Sequence, residues 1–478
     1  MIATKKIAAR ALAVWTAGLF VHTFALATIP VQHWTQASGA QVYLIESPAI
    51  AMLDVQLDFD AGSRRDPPGQ AGLAEMTAAM LEKGVRAGNG ERSAGPPQAS
   101  SAPSGGSVVR EATSVGAFEP ALDENALGEA WADLGAQFGA GASADRMSFS
   151  LRTLTDPPLL DKAVALAARQ IAEPSYPEAV WQRERQRLQA ALKESYTRPG
   201  AVIGRAYAKA VYGQHPYGYE MTEASLGRIS VADLKAAHER GVVACRARIS
   251  LVGAVTRAQA DAIAARLLSR LPPVACASLP PLPAIAEVEP LAQAQEKTIP
   301  FDSAQAHVLI GQPGFKRADP DYFALTVGNY ILGGGGFVSR LTTEVREKRG
   351  LTYGVSSSFS PGLHAGSFTV GLQTRPDQTA QAVALTRQVV KDFVANGPTE
   401  AELKAAKDNL IGGFALRIDS NRKLLGNLAG IAWNDLPLNY LDTWTQQIEK
   451  VSVSDIKAAF ARKLQPSTMV TVILGAAQ

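Results

Sequence analysis

Apolar and polar positions alternate with a period of two over residues 53–59 and 147–154, and a short apolar run fills 41–46; all three predict strands. Over residues 69–82 the period changes. Leu73, Met76, Met80 and Leu81 fall at helical spacing and form one apolar stripe. Residues 159–172 and 178–196 read as further helices, the second starting after Pro177 and stopping before Pro199. In the second half, residues 306–312, 322–332, 351–359, 367–374 and 379–395 alternate strand and helix signals.

The pattern repeats. ISVADLKAA from Ile229 matches VSVSDIKAA from Val451, and at the same offset of 222 residues LVG from Leu251 meets ILG from Ile473. Ser230 and Ser452 are the expected N-caps of a helix that leads into a terminal apolar strand. A gapless match over such a stretch predicts duplication of one α+β unit, a two-layer arrangement with helices on one face of a largely antiparallel sheet.

Composition breaks this pattern in three places. Lys5, Lys6 and Arg10 precede an apolar run over 11–24 and the small-residue triplet Ala25, Leu26, Ala27. That is a signal peptide over 1–27, with cleavage near Ala27 and an exported, periplasmic or secreted product. The run is short for a membrane span, so no stable span is expected. Residues 87–116 are rich in Gly, Ser, Pro and Ala and carry few large apolar side chains, the signature of a flexible surface insertion. Six prolines between Pro272 and Pro290 mark 271–295 as a semi-rigid linker between an N-terminal half, 28–270, and a C-terminal half, 296–478.

The bulk numbers exclude more than they identify. The 478 residues are too many for one ordinary core, and 46% hydrophobic with 19% charged residues is the balance of a folded soluble protein. A net charge of +3 without a basic run gives no nucleic-acid footprint. Cys245 and Cys276 have no metal-knuckle spacing, and the sequence leaves open whether they pair.

Candidate chemistry concentrates in residues 333–361, GGGGFVSRLTTEVREKRGLTYGVSSSFSP. A glycine-rich turn leads into a short charged helix and then a strand, with Arg346 and Tyr353 seven residues apart across the junction. A fixed cation and a phenolic donor beside a strand suit a peptide carbonyl oxygen. The glycine run lacks the GK[ST] ending of a phosphate loop, so nucleotide binding is not expected. Taken alone, the pair reads as a helix-end arginine and a strand-opening tyrosine.

With its surroundings, the chain resembles the insulinase or pitrilysin-like peptidases. The likeness is carried by AGSRRDPP from Ala61, GLAEMTAAMLEKG from Gly72, LGAQFGA from Leu134, HPYG from His215, and the run from Ser339 to Tyr353. The resemblance implies that family's duplicated α/β fold and a zinc site built on H-x-x-E-H in a helix. Two histidines at i and i+4 share one helical face, and the glutamate between them takes a proton from the metal's water. Here the histidine positions are Glu75 and Ala79, and the base position is Ala78. The later helix keeps Glu184, a second-shell-like acid, but has Ala191 where the third ligand belongs. The spacing from Ala79 to Ala191 exceeds the family's usual separation by roughly the length of the insertion.

The resemblance therefore implies a chain with no cofactor of its own, inactive alone. Its expected partner is a subunit of the same family that carries H-x-x-E-H and zinc. Arg346 and Tyr353 would bind peptide substrates and stabilise the oxyanion in the joint site. The rival implication is a catalytically dead structural or peptide-binding member of the family.

Overall fold

The computed structural model describes residues 29–89 and 118–475. The expected signal peptide and nearly all of the expected insertion lie outside the described residues. Among the described residues, eleven strands build the two larger sheets, one in each half. The N-terminal sheet contains β1 (Gln32–Thr35), β2 (Gln41–Glu46), β3 (Met52–Phe59), β4 (Gln137–Ala142), β5 (Met147–Leu154) and β6 (Arg248–Gly253). Its order is β1-β2-β6-β3-β5-β4, antiparallel except for β2 beside β6.

The C-terminal sheet contains β7 (Gln295–Ile299), β8 (Ala306–Pro313), β9 (Gly354–Phe359), β10 (Ser367–Thr374) and β11 (Val470–Leu474). Its order is β7-β11-β8-β10-β9, again with a single parallel pair, β7 beside β11. Removing β1 from the first sheet leaves the order and polarity of the second. The repeated segments occupy equivalent places. Ser230 and Ser452 each cap a helix, Val231–Gly241 and Val453–Lys463, through reciprocal bonds with Asp233 and Asp455. The strands that follow, β6 and β11, begin at Arg248 and Val470, 222 residues apart.

Each sheet buries one face against its own helices. In the N-terminal half, Leu57, Phe59, Phe149 and Trp181 are fully buried in one core; Phe368, Phe393 and Phe460 anchor the other. Burial of side chains of this size contributes roughly 1.5–3 kcal/mol each. The other faces are covered too, which the expected two-layer arrangement did not include. Helix Pro199–Tyr212 from the N-terminal half packs Ile203, Tyr207 and Val211 on Val470, Val472 and Leu474 of β11. Helix Asn421–Trp433 from the C-terminal half packs Leu425, Leu428 and Ile431 on Tyr43, Ile45 and Val252. These helices begin 222 residues apart, so the halves exchange equivalent helices. The reason is apolar surface on both faces of each sheet, which needs a third layer to leave water.

Polar ties reinforce the exchange. The Tyr207 hydroxyl donates to the carbonyl of Phe368 at 2.9 Å, and the Ser367 amide donates to the Tyr212 hydroxyl at 2.9 Å. The His215-Pro-Tyr-Gly stretch forms the 3₁₀ turn Pro216–Gly218. From it the Tyr217 hydroxyl donates to Asp145 at 2.6 Å and accepts from the His364 amide at 3.1 Å. Cys245 and Cys276 form a disulfide, their Cα atoms 5.8 Å apart, which pins the proline-rich segment to the N-terminal half.

Candidate functional site

The segment with Arg346 and Tyr353 is held in place by its neighbours on both sides. Helix Tyr322–Asn329 ends in a π-helical turn, Tyr330–Gly334, where the backbone comes close to β9. A Cβ on Gly333 would lie 2.5 Å from the Ser357 amide nitrogen, so only glycine fits there. The short charged helix expected after the glycines is present but widened. Residues Thr342–Glu347 form a π-helical turn, a form common at functional sites. Gly350 then takes φ +63°, reversing the chain into Leu351, and β9 starts at Gly354 rather than at 351. Three residues that resemble the family's run are structural here. The Ser339 hydroxyl donates to the Gly336 carbonyl at 2.8 Å, Arg340 makes a two-pronged pair with Glu402 at 3.0 and 2.6 Å, and Leu341 is fully buried.

Arg346 and Tyr353 are left free for other work. Among the described residues the Arg346 guanidinium makes no ion pair or hydrogen bond; it lies over the Phe337 ring, 4.6 Å from the centroid. Tyr353 is 86% exposed and its hydroxyl has no partner among those residues. Phe337 and Val338 are 69% and 76% exposed, so the segment presents apolar surface around its cation. Phe337 was not singled out from the sequence; a large aromatic directly after four glycines was the available signal. Tyr353 stands immediately before β9, the outer strand of its sheet. Gly354 and Ser356 of β9, with Gly371, Gln373, His307 and Ile203 of helix Pro199–Tyr212, line a groove of about 430 Å³, which Tyr353 itself does not line.

The motif helix in the other half is intact as a helix, spanning Leu73–Met80 with a 3₁₀ turn at Leu81–Lys83. Asp66 caps it from upstream, accepting from the Gly72 and Ala74 amides at 2.9 Å each. Burial pushes the Asp66 carboxyl up to about 6 against the pull of these amides, and the nearby Glu75 adds to the rise. Glu75 and Ala79 share the exposed face, as two ligand positions four apart should. Glu75 touches solvent, yet enough protein surrounds it for desolvation to raise its carboxyl pKa. Ala78 is 1% exposed and packs into the core.

Ala191 is exposed on helix Glu178–Ser195, and Glu184 on the same helix pairs with Arg187 at 2.8 Å and Arg183 at 3.7 Å. These residues do not fit a zinc ion. Alanine offers no lone pair, and Glu184 is already neutralised by two arginines. Among the described residues no group of three histidine, cysteine or acidic side chains could hold a metal. His215 and His238 are instead bonded to the carbonyls of Ala286 and Ile171, at 3.0 and 2.8 Å. Burial holds both imidazoles below the usual range.

The structure does not join the two sets. No hydrogen bond or ion pair among the described residues links Arg346 or Tyr353 to Glu75, Ala78, Ala79, Glu184 or Ala191. Nor is the outer strand near the motif helix free along its edge. The outward amide of Ala140 on β4 donates to Glu82 at 3.1 Å, a bond that an added peptide strand would have to displace.

Comparison with known proteins agrees with this architecture. Residues 228–410 match the family model described as the peptidase M16 inactive domain. The chain is similar to the crystal structure of a peptidase M16 inactive domain from Pseudomonas fluorescens, at 34% identity and a TM-score of 0.82. That similarity covers 94% of this chain and 98% of the other. Among curated proteins it is 37% identical over 165 residues to the non-peptidase homolog YmxG of Helicobacter pylori, over 34% of this chain. It is 28% identical over 285 residues, 58% of this chain, to the uncharacterized zinc protease Rv2782c of Mycobacterium tuberculosis. The matched stretches span 37% and 63% of the lengths of those two relatives. A fold built from two exchanged copies of one unit, a ligand-free motif helix and a full-length structural counterpart agree: the chain belongs to the M16, insulinase-like peptidase family, as a member that lacks the zinc motif.

Proposed function

We propose that this protein is the zinc-free subunit of an exported, two-subunit M16 peptidase, in which it supplies Arg346 and Tyr353 to a site completed by an H-x-x-E-H partner. The observation that carries this reading is the state of the pair. Among the described residues, the Arg346 guanidinium has no counter-ion and lies over Phe337, the exposed Tyr353 hydroxyl has no partner just before an outer strand, and the zinc-motif helix belongs to no group that could hold a metal. An arginine left unpaired on a held backbone is a donor with little to reorganise. It acts where charge develops, on the oxygen of the peptide carbonyl under attack. The partner supplies the metal and the general base. The groove lined by Gly354 and Ser356, on the strand that Tyr353 precedes, would offer room for the substrate's flanking residues. Export is supported by the positive and apolar segment over 1–27 and by the Cys245–Cys276 disulfide, which belongs in an oxidising compartment.

The test is co-expression with an H-x-x-E-H subunit encoded nearby and a peptide-cleavage assay on the purified pair. Neither chain alone should cleave. Arg346→Ala and Tyr353→Phe should each lower kcat/KM by about 10²–10³-fold, as loss of one oxyanion donor does, with the complex still forming. Unchanged kcat/KM in both variants would overturn the catalytic assignment. The alternative is then a catalytically dead structural or peptide-binding chain, the reading to which the likeness to a non-peptidase homolog lends support.

A further inference from the structure

A second concave site lies in the C-terminal half, built from residues outside the Arg346–Tyr353 segment. It is a cavity of about 230 Å³ between helices Asn421–Trp433 and Tyr440–Lys450. Arg317 and Arg417 both line it. Tyr322, Tyr440, Phe414 and Trp444 form aromatic walls, with Ile431 and Leu436 as further apolar lining.

Each arginine is fixed by rings rather than by acids. The Arg317 guanidinium lies 3.7 Å from the Tyr322 centroid and 5.3 Å from that of Tyr440, and its Nη2 donates to the Tyr440 hydroxyl at 2.7 Å. Arg417 lies 5.4 Å from the Trp444 centroid, and that indole stacks on Phe414 at 4.9 Å. Among the described residues neither guanidinium meets a carboxylate.

The acids near them in sequence are engaged elsewhere. Asp319 pairs with Lys463, Asp321 with Arg462 at 2.6 Å, and Asp419 with Lys423 at 2.9 Å. Asp442 accepts from the Ile29 amide at 2.9 Å. Two uncompensated cations beside one cavity repel each other, and an anion between them removes that repulsion. The flat fork of each guanidinium matches the two oxygens of a carboxylate. The aromatic walls suit an apolar body attached to that carboxylate, and the volume limits that body to about one side chain.

We propose that this cavity binds a carboxylate carried on a single apolar residue, as an N-acylated apolar amino acid or the C-terminal residue of a peptide presents it. The carboxylate sits between Arg317 and Arg417, and the side chain packs on Tyr322, Tyr440 and Trp444. The proposal does not depend on the function proposed for Arg346 and Tyr353.

The test is isothermal titration of the purified full-length chain with N-acetylphenylalanine, its C-terminal amide, a tetrapeptide ending in phenylalanine, and inorganic phosphate. Saturable binding of the acid, weakened about tenfold or more in the amide, is expected from loss of the charged bonds. Arg417→Gln, an exposed position that leaves the fold intact, should weaken the acid about tenfold and leave the melting temperature unchanged. Arg317→Gln should do the same to binding, with its melting curve reporting any loss of stacking. Tetrapeptide binding as tight as that of the single residue assigns the site to peptide ends, and weaker binding assigns it to free acyl-amino acids. Equal binding of acid and amide, phosphate binding as tight as the acid, or unchanged affinity in Arg417→Gln would each overturn the proposal.

Discussion

Arg346 carries its charge on the ring of Phe337 and nowhere else among the described residues. A cation in that setting is worth little to folding, so the sharp expectation for this segment is neutrality in stability. Tyr353→Phe should leave the melting temperature unchanged, because the hydroxyl is exposed and unpaired. Any functional loss in that variant therefore cannot be assigned to unfolding. Asp66 behaves in the opposite way. Its folded pKa of about 6 lies above the ordinary 3.8, so between these values the folded chain holds a proton that the unfolded chain has released. Stability from this group is thus present at low pH and lost as pH rises from about 4 to about 6, by on the order of 2–3 kcal/mol. Urea unfolding across that window should show this slope in the wild type and not in Asp66→Asn.

The described elements on either side of the expected insertion, 87–116, form a closed base, and its first residues, Gly88–Asn89, are themselves paired. The chain leaves and re-enters through two short antiparallel ladders, Gly84–Val85 against Leu122–Asp123 and Gly88–Asn89 against Phe118–Glu119. Arg270 clamps the base, holding both oxygens of Glu119 at 2.8 Å and reaching Glu173 at 3.3 Å. Arg169 adds a bond to the Arg86 carbonyl at 2.6 Å. These ladders and ion pairs hold the base through described residues alone. Replacing residues 90–117 by a short Gly-Ser turn should change the unfolding free energy by less than about 1 kcal/mol, measured by urea denaturation.

For the whole molecule, the exchanged helices make the halves interdependent. Asp145 gathers Arg64 at 3.0 Å, the Tyr217 hydroxyl at 2.6 Å and the Leu363 amide at 2.9 Å, joining the N-terminal half to the loop before β10. Tyr217→Phe removes one of these bonds and leaves the His364 amide without its acceptor. A loss of about 1–2 kcal/mol is expected, within a single cooperative transition rather than two. Intact packing around an empty motif also predicts the metal result. Dialysis of the isolated chain against zinc should leave it far below one ion per chain, and stoichiometric zinc would contradict the geometry around Glu75, Ala79 and Ala191.

The duplication, most of the strands and helices, and the replaced zinc-motif residues are legible in the amino-acid sequence alone. These rest on local information: periodicity for β3, β5 and β10, capping chemistry at Ser230 and Ser452, and side-chain identity at Glu75, Ala78, Ala79 and Ala191. Element ends were less legible. The helix expected over 69–82 starts only at Leu73, after the bonds to Asp66, and the one expected over 322–332 gives way to a π-helical turn at Tyr330. Only the tertiary structure decided the exchange of Pro199–Tyr212 for Asn421–Trp433, the pairing of Cys245 with Cys276, and the seating of Arg346 on Phe337. It also brought Arg317 and Arg417 together from positions 100 residues apart. The physical reason is common to all four. Three of them bring together segments far apart in the chain, and the fourth, Arg346 on Phe337, depends on how the turn between them is held; no periodicity along the chain records what the surface left over by the local elements will meet.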